Sequence, residues 1–172
     1  GFETVVVGPV QVNGTVVSST VVRELIQKGE VEAAARFLGY PPVLIGRVVE
    51  GDGRGAVLGF PTANLAVEAR KVVPGRGVYV IRASWHSERL GGLANIGVRP
   101  TFGGSRRGIE VHLFDFARAI YGQVLKVEFL KRLRDEMSFA AVPDLVEQIR
   151  RDVADARMVL GEHLQGHGFV VE

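Results

Sequence analysis

Val43-Leu44-Ile45-Gly46-Arg47-Val48-Val49 follows directly on Pro41-Pro42 and opens the series of short, Val-rich runs that decides the fold. Further runs lie at 64–67, 78–83, 90–96, 109–116 and 124–130, separated by Gly, Pro and Asn. Segments of this length, rich in β-branched residues and broken by turn formers, predict antiparallel strands in a barrel or sandwich. Beyond them, Leu145, Val146, Ile149, Val153, Ala156 and Leu160 recur every three or four residues, which predicts an amphipathic helix over 143–160. Glu147, Arg150, Arg151, Asp152 and Asp155 fall on its other face. Pro143 suits the first helical turn and Gly161 the end. A helix with one apolar stripe must lie on another element, and the strands are the available partner.

Upstream, 21–38 reads as two short helices. Ser18, Ser19 and Thr20 offer capping hydroxyls, and Gly29 and Gly39 stand where helix C-termini favour a left-handed residue. Thr4 to Val7 is strand-like, and a chain that starts at Gly1 and runs at once into such a segment suggests a further part upstream.

The composition is that of an ordinary globular chain: 172 residues, 47% hydrophobic and 23% charged, enough for one good core and a small second element. Twenty-one basic against 19 acidic residues, spread along the chain, leave a net charge of +2, which argues against a nucleic-acid partner. Without Cys there are no disulfides or thiolate metal sites, and a reducing cytoplasm is the simplest compartment. No apolar run approaches the roughly 20 residues of a membrane span, so no membrane partner is expected.

Three segments carry candidate chemistry. In Gly51-Asp52-Gly53-Arg54-Gly55-Ala56-Val57-Leu58-Gly59 the glycines let backbone N–H groups turn toward a bulky anion, although a flexible hairpin loop has the same composition. It lacks the Gly-Lys-Ser/Thr of a P-loop. Phe60-Pro61-Thr62-Ala63-Asn64 follows. In an extended chain the Thr62 hydroxyl and Asn64 amide oxygen project from one face, either a neutral pair suited to Mg²⁺ that takes its remaining ligands from phosphates or two side chains that satisfy backbone groups at the start of a strand.

In Ile109-Glu110-Val111-His112-Leu113-Phe114-Asp115-Phe116, alternation separates Ile109, Val111 and Leu113 from Glu110, His112 and Phe114. Glu110 is then a carboxylate fixed on a strand, as a general base requires, or simply a solvated one. Ala94 to Gly104 reads equally as a long polar connection able to fold over a ligand or as a mobile loop, and Arg106 and Arg107 beyond it read as a solvated pair in preference to phosphate ligands. His163 and His167 have helical spacing but no third ligand, which argues against zinc.

Taken together, Gly59-Phe60-Pro61-Thr62-Ala63-Asn64-Leu65, Gly77-Val78-Tyr79, Asn95-Ile96-Gly97-Val98-Arg99-Pro100-Thr101-Phe102, Glu110-Val111-His112, Tyr121-Gly122 and Leu133-Arg134-Asp135-Glu136 resemble the riboflavin kinase family, in order and spacing, across about 43–160. The resemblance implies a mainly β fold: a six-stranded antiparallel Greek-key barrel with a long C-terminal α-helix, preceded here by a short strand-helix segment. It implies transfer of the ATP γ-phosphate to the ribityl 5′-hydroxyl of riboflavin, giving FMN, with Mg²⁺ as cofactor. Glu110 would be the base, and Thr62 and Asn64 would hold Mg-ATP. Gly51, Gly53, Arg54, Gly55, Gly59 and Pro61 would lie about the phosphates. Leu113, Asp115 and Tyr121 fall where the family contacts adenosine, and Arg134 and Phe139 near the flavin. Val57 stands where many members carry a basic residue, so Arg54 or the backbone would serve the phosphates.

Val17 to Leu25, followed by Gly29 to Gly39, is similar to the last segment of the FMN adenylyltransferase domain that precedes the kinase in bacterial bifunctional enzymes. This implies a division into 1–40, a remnant of that domain, and 41–172, the kinase. Adenylyltransferase (FAD synthetase) activity is not expected from this chain alone, and the upstream domain is a candidate partner. The rival reading is a non-catalytic barrel that binds a nucleotide or nucleic acid. It calls for a basic groove with stacking aromatics, against which stand 8% aromatics and the balanced charge.

Overall fold

The Val-rich runs close on themselves. The computed structural model describes residues 2–5, 8–101 and 104–165. Within it β3 (Val43–Val49), β4 (Ala63–Ala66), β5 (Gly77–Trp85), β6 (Glu88–Thr101), β7 (Gly104–Leu113) and β8 (Val124–Arg134) form a closed antiparallel barrel, ordered β3-β4-β7-β6-β5-β8. Before it come a two-stranded ribbon, β1 (Gln11–Val12) and β2 (Thr15–Val16), and the helices α1 (Ser19–Lys28) and α2 (Val31–Leu38). A single helical turn, α3 (Arg54–Val57), interrupts the glycine loop, and α4 (Val142–Gln165) ends the described chain.

Alternation sorts the side chains. In β3, Leu44, Gly46 and Val48 face inward while Val43, Ile45, Arg47 and Val49 are exposed. The interior is filled by Val48, Ile81, Ile96, Val111, Leu125 and Val127, with the Tyr79 and Phe129 rings edge to face at 5.5 Å. Each such aliphatic side chain contributes roughly 1.5–3 kcal/mol on burial. A second cluster lies outside the barrel, where Val78, Val80, Leu93, Phe114 and Leu130 meet Ala156 and Val159 of α4. Two ion pairs fasten that helix: Arg134 to Asp152, with Nη2 2.7 Å from Oδ2, and Arg157 to Asp115 at 2.9 Å.

The predicted caps of the first helices are present. Ser18 Oγ accepts from the Val21 N–H at 3.3 Å, and Gly29 and Gly39 are left-handed C-caps. Val31 of α2 is fully buried within the barrel's own cluster, and the Gly75 N–H donates to the Ile26 carbonyl, so the helical hairpin docks directly on the barrel.

Several boundaries differ from expectation. The segment 94–104 is not an open connection. Residues Asn95 to Thr101 continue β6 and pair in register with β7, Asn95 opposite Glu110 through Thr101 opposite Gly104, because a partner strand overrides weak local propensity. Strand β7 stops at Leu113, since Asp115 takes a left-handed φ of 55° that cannot continue the ladder. Helix α4 runs through Gly161 to Gln165. Its Asp152, placed by periodicity on the polar face, is 3% exposed. Thr4 and Val5 are not in a strand, and Val6 and Val7 lie outside the described residues. The ribbon forms instead around Asn13-Gly14, both at positive φ as a tight hairpin turn requires. Phe102, Gly103 and His167 are outside the described residues, as are the side chains of Arg106, Arg107 and His163.

Candidate active site

Strand register sets out a row of side chains, polar except for Val78, on the outer face of the barrel. Asn64 of β4 stands opposite Glu110 of β7, Glu110 opposite Asn95 of β6, Asn95 opposite Val78 of β5, and Val78 opposite Arg134 of β8. Neighbouring strands lie about 4.8 Å apart and opposed residues project to one side, so these groups are immediate neighbours. Their flanking residues Leu65, Val111, Ala94 and Ile96 point into the core, which gives the row a rigid base.

Over this row lies a cavity of about 260 Å³. Val78, Leu93, Met137, Phe139, Leu145 and Ile149 make its apolar side, between the barrel and the first turns of α4. Arg54, Thr62, Asn95, Glu110, Arg134 and Glu136 line it with polar groups. A second cavity of about 300 Å³ lies on the other side of Thr62, lined by Val48, Pro61, Leu113, Phe116, Ala119 and Tyr121, among others. Thr62 borders both, so a ligand in one can meet a ligand in the other there.

The glycine loop reaches this junction because two of its glycines stand where no side chain would fit. A Cβ on Gly51 would lie 1.6 Å from Asn64 Nδ2, and one on Gly55 would lie 2.4 Å from the Phe60 carbonyl oxygen and 3.1 Å from Thr62 Oγ1. Loop backbone therefore packs directly on Thr62 and Asn64. Gly53 and Gly59 take left-handed φ values on either side of α3. Arg54, at the edge of the cavity, pairs with Asp52 at 3.6 Å, and its side chain is 86% exposed.

His112 Nδ1–H donates to the Pro61 carbonyl at 2.9 Å; a carbonyl only accepts, so that nitrogen carries the proton. Its ring packs edge-on against Phe60 and Phe114, tying β7 to the segment before Thr62. Arg134 donates through Nε and Nη2 to Asp152, which also accepts from Gln148 at 2.9 Å. Its cation is thus matched within the protein, and the guanidinium is held as a fixed wall of the cavity. Glu136 accepts from Arg76 at 2.8 Å.

The fold therefore brings Arg54, Gly55, Thr62, Glu110, Arg134 and Phe139 to one cavity, and Pro61, Leu113 and Tyr121 to the adjoining one. Asn64 is buried beside Glu110 and under Gly51. Asp115 lines neither cavity and is engaged by Arg157 of α4, whose hydrogen bond holds its carboxyl below the usual aspartate range. Asn95, Glu136 and Asp152 belong to the cavity without having been singled out from the sequence. Asn95 stood where the strand run 90–96 overlaps the polar connection 94–104, and a buried aspartate on a helix's charged face leaves no periodic signal. Among the described residues no group of three or more His, Asp or Glu could hold a metal by itself. The neutral oxygens of Thr62 and Asn64 fit a hard cation that brings phosphate ligands with it.

A closed six-stranded antiparallel barrel with two adjoining outer cavities, a glycine loop at their junction and the carboxylates of Glu110, Glu136 and Asp152 in one of them gives the class of molecule: a small barrel with a mixed polar and apolar outer cleft. The chain belongs to the riboflavin kinase family, whose model, Flavokinase, matches residues 38–160. A bifunctional riboflavin kinase/FMN adenylyltransferase of Bacillus subtilis is 42% identical over 143 residues, 81% of this chain and 45% of the relative. A solved structure of a Streptococcus pneumoniae protein described as a macrolide-efflux protein is similar at a TM-score of 0.83 and 38% identity, over 88% of this chain and 50% of that one. The riboflavin kinase of Trypanosoma brucei is similar at a TM-score of 0.52 and 27% identity, over 74% of this chain and 82% of that one. The chain spans about half the length of the curated relatives it matches. A non-catalytic barrel is not favoured by these findings, and no described helix is long and apolar enough to cross a membrane.

Proposed function

We propose that this barrel phosphorylates riboflavin from Mg-ATP, with the flavin in the cavity under α4, adenosine in the cavity past Thr62, and the phosphates between them beneath the glycine loop. The observation that carries the reading is that Thr62 borders both cavities while Glu110 lines the first beside Asn64. Phosphoryl transfer asks a protein mainly for alignment and charge neutralisation. Glu110 accepts the proton of the ribityl 5′-hydroxyl as its oxygen bonds to the γ-phosphorus, and the bond to the leaving ADP oxygen breaks. Thr62 and Asn64 would hold Mg²⁺, which neutralises phosphate charge when bound. Backbone N–H groups of 51–59, with Pro61 and Arg54 alongside, meet the phosphates. Leu113 and Tyr121 face adenosine, and Arg134 and Phe139 face the flavin ring. Asp115 joins the adenosine side if its pair with Arg157 opens.

The same reading takes residues 1–40 as the end of an adenylyltransferase domain and 41–172 as the kinase, with no FAD synthesis by this chain alone. It places the reaction in the cytoplasm, which suits a chain without Cys, and involves neither nucleic acid nor membrane.

Mixing the purified chain with riboflavin, ATP and Mg²⁺ and separating products by chromatography tests it. FMN is expected, and none from the wild-type chain overturns the reading. Glu110→Gln should lower turnover by roughly two to four orders of magnitude with ATP affinity little changed. Wild-type turnover in that variant would remove Glu110 from its role.

A further inference from the structure

The row Asn64, Glu110, Asn95, Val78, Arg134 has a direction. If Asn64 marks the phosphate end and Glu110 the reacting hydroxyl, the flavin ring lies farther along, against Val78, Phe139 and Arg134. The ribityl chain must span the interval between base and ring. Asn95 occupies that interval: it is the cross-strand neighbour of Glu110 on the ring side, one strand spacing of about 4.8 Å away. It is exposed, lines the cavity, and stands on a strand anchored by the fully buried Ala94 and Ile96. Its amide offers two N–H donors and one acceptor, which matches secondary hydroxyls that both donate and accept. The next groups along the cavity floor, Val78 and Leu93, are apolar and cannot serve those hydroxyls.

We infer that Asn95 is a specificity-determining residue that binds the secondary hydroxyls of the ribityl chain and so sets the reach of the terminal hydroxyl to Glu110. This deepens the kinase reading and rests on it. A site built to hydrogen-bond a hydroxyl discriminates strongly against an analogue without it, because the protein group is then left unpaired.

The test compares riboflavin with a flavin carrying a 5-hydroxypentyl chain at the same nitrogen, which keeps the ring and terminal alcohol but has no secondary hydroxyls. Dissociation constants from quenching of flavin fluorescence and kcat/KM for phosphorylation are measured for wild type and Asn95→Ala. Asn95→Val serves as a second variant, since valine suits an exposed strand position. Both variants should lose about 10- to 100-fold in affinity and kcat/KM for riboflavin. For the hydroxypentyl flavin the change in affinity should stay within about twofold, because no hydroxyl contact exists to lose. Equal losses for both flavins, or none for riboflavin, overturn the assignment while leaving the kinase reading intact. A wild-type chain that binds neither flavin and makes no FMN overturns the kinase reading and this one with it.

Discussion

At the scale of single residues, the glycine loop is explained by contact more than by flexibility. Glycine count alone favours a slack hairpin over a phosphate loop; the decisive fact is that Gly51 and Gly55 have no room for a Cβ against Asn64, Thr62 and the Phe60 carbonyl. Gly51→Ala must push the loop off Asn64, and displacement of about 1 Å near reacting groups can cost 100-fold in rate. Turnover should fall by about that factor while the far-ultraviolet circular dichroism of the barrel is unchanged; wild-type kinetics for this variant would show that the loop does not need its contact. The shared face of Thr62 and Asn64 and the strand position of Glu110 follow from a two-residue spacing and an alternation, which are local facts, whereas the roles given to them rest on the family resemblance. The place of Asn95 beside Glu110 is not a local fact, since it exists only through the pairing of β6 with β7.

At the scale of elements, α4 does two things at once. Its apolar stripe covers the outer face of β5, β6 and β8, and its first turns supply Leu145, Ile149 and Asp152 to the cavity. Periodicity revealed the stripe but not the inward aspartate, because a buried charge is viable only opposite a partner, here Arg134 from a distant strand. The Asp115–Arg157 pair fastens the same helix nearer its exposed side. The hydrogen bond from Arg157 lowers the Asp115 carboxyl from its ordinary value of 3.8. A depressed folded value means that the contribution to stability is fully present above the unfolded value and is lost as pH falls through the lower folded one. Asp115→Asn, which keeps the shape and tolerates positive φ, should therefore melt below wild type at neutral pH and low salt and match it in strong acid. A melting difference that persists unchanged in acid would show that the ion pair is not its source.

At the scale of the whole molecule, the helical hairpin and the barrel share a core. Val31 is fully buried in the same cluster as Leu44, Tyr79 and Phe129, and the Arg132 N–H approaches Glu32 across the contact. Val31→Ala should cost about 2 kcal/mol of stability and lower one cooperative thermal transition, with hydrogen exchange in α1, α2 and β8 accelerating together. Loss of protection confined to the hairpin would show instead that the two parts are independent. What the chain determined by itself was periodic: the strands, the amphipathic helix, the glycine caps and the short motifs, since each follows from backbone sterics and the repeat of apolar side chains. Only the tertiary structure decided where β6 and β7 end, which side of α4 carries a buried charge, and that Asn64, Glu110 and Asn95 stand side by side. Those outcomes depend on strand register and barrel closure, which join residues far apart in the chain and leave no mark within any single segment.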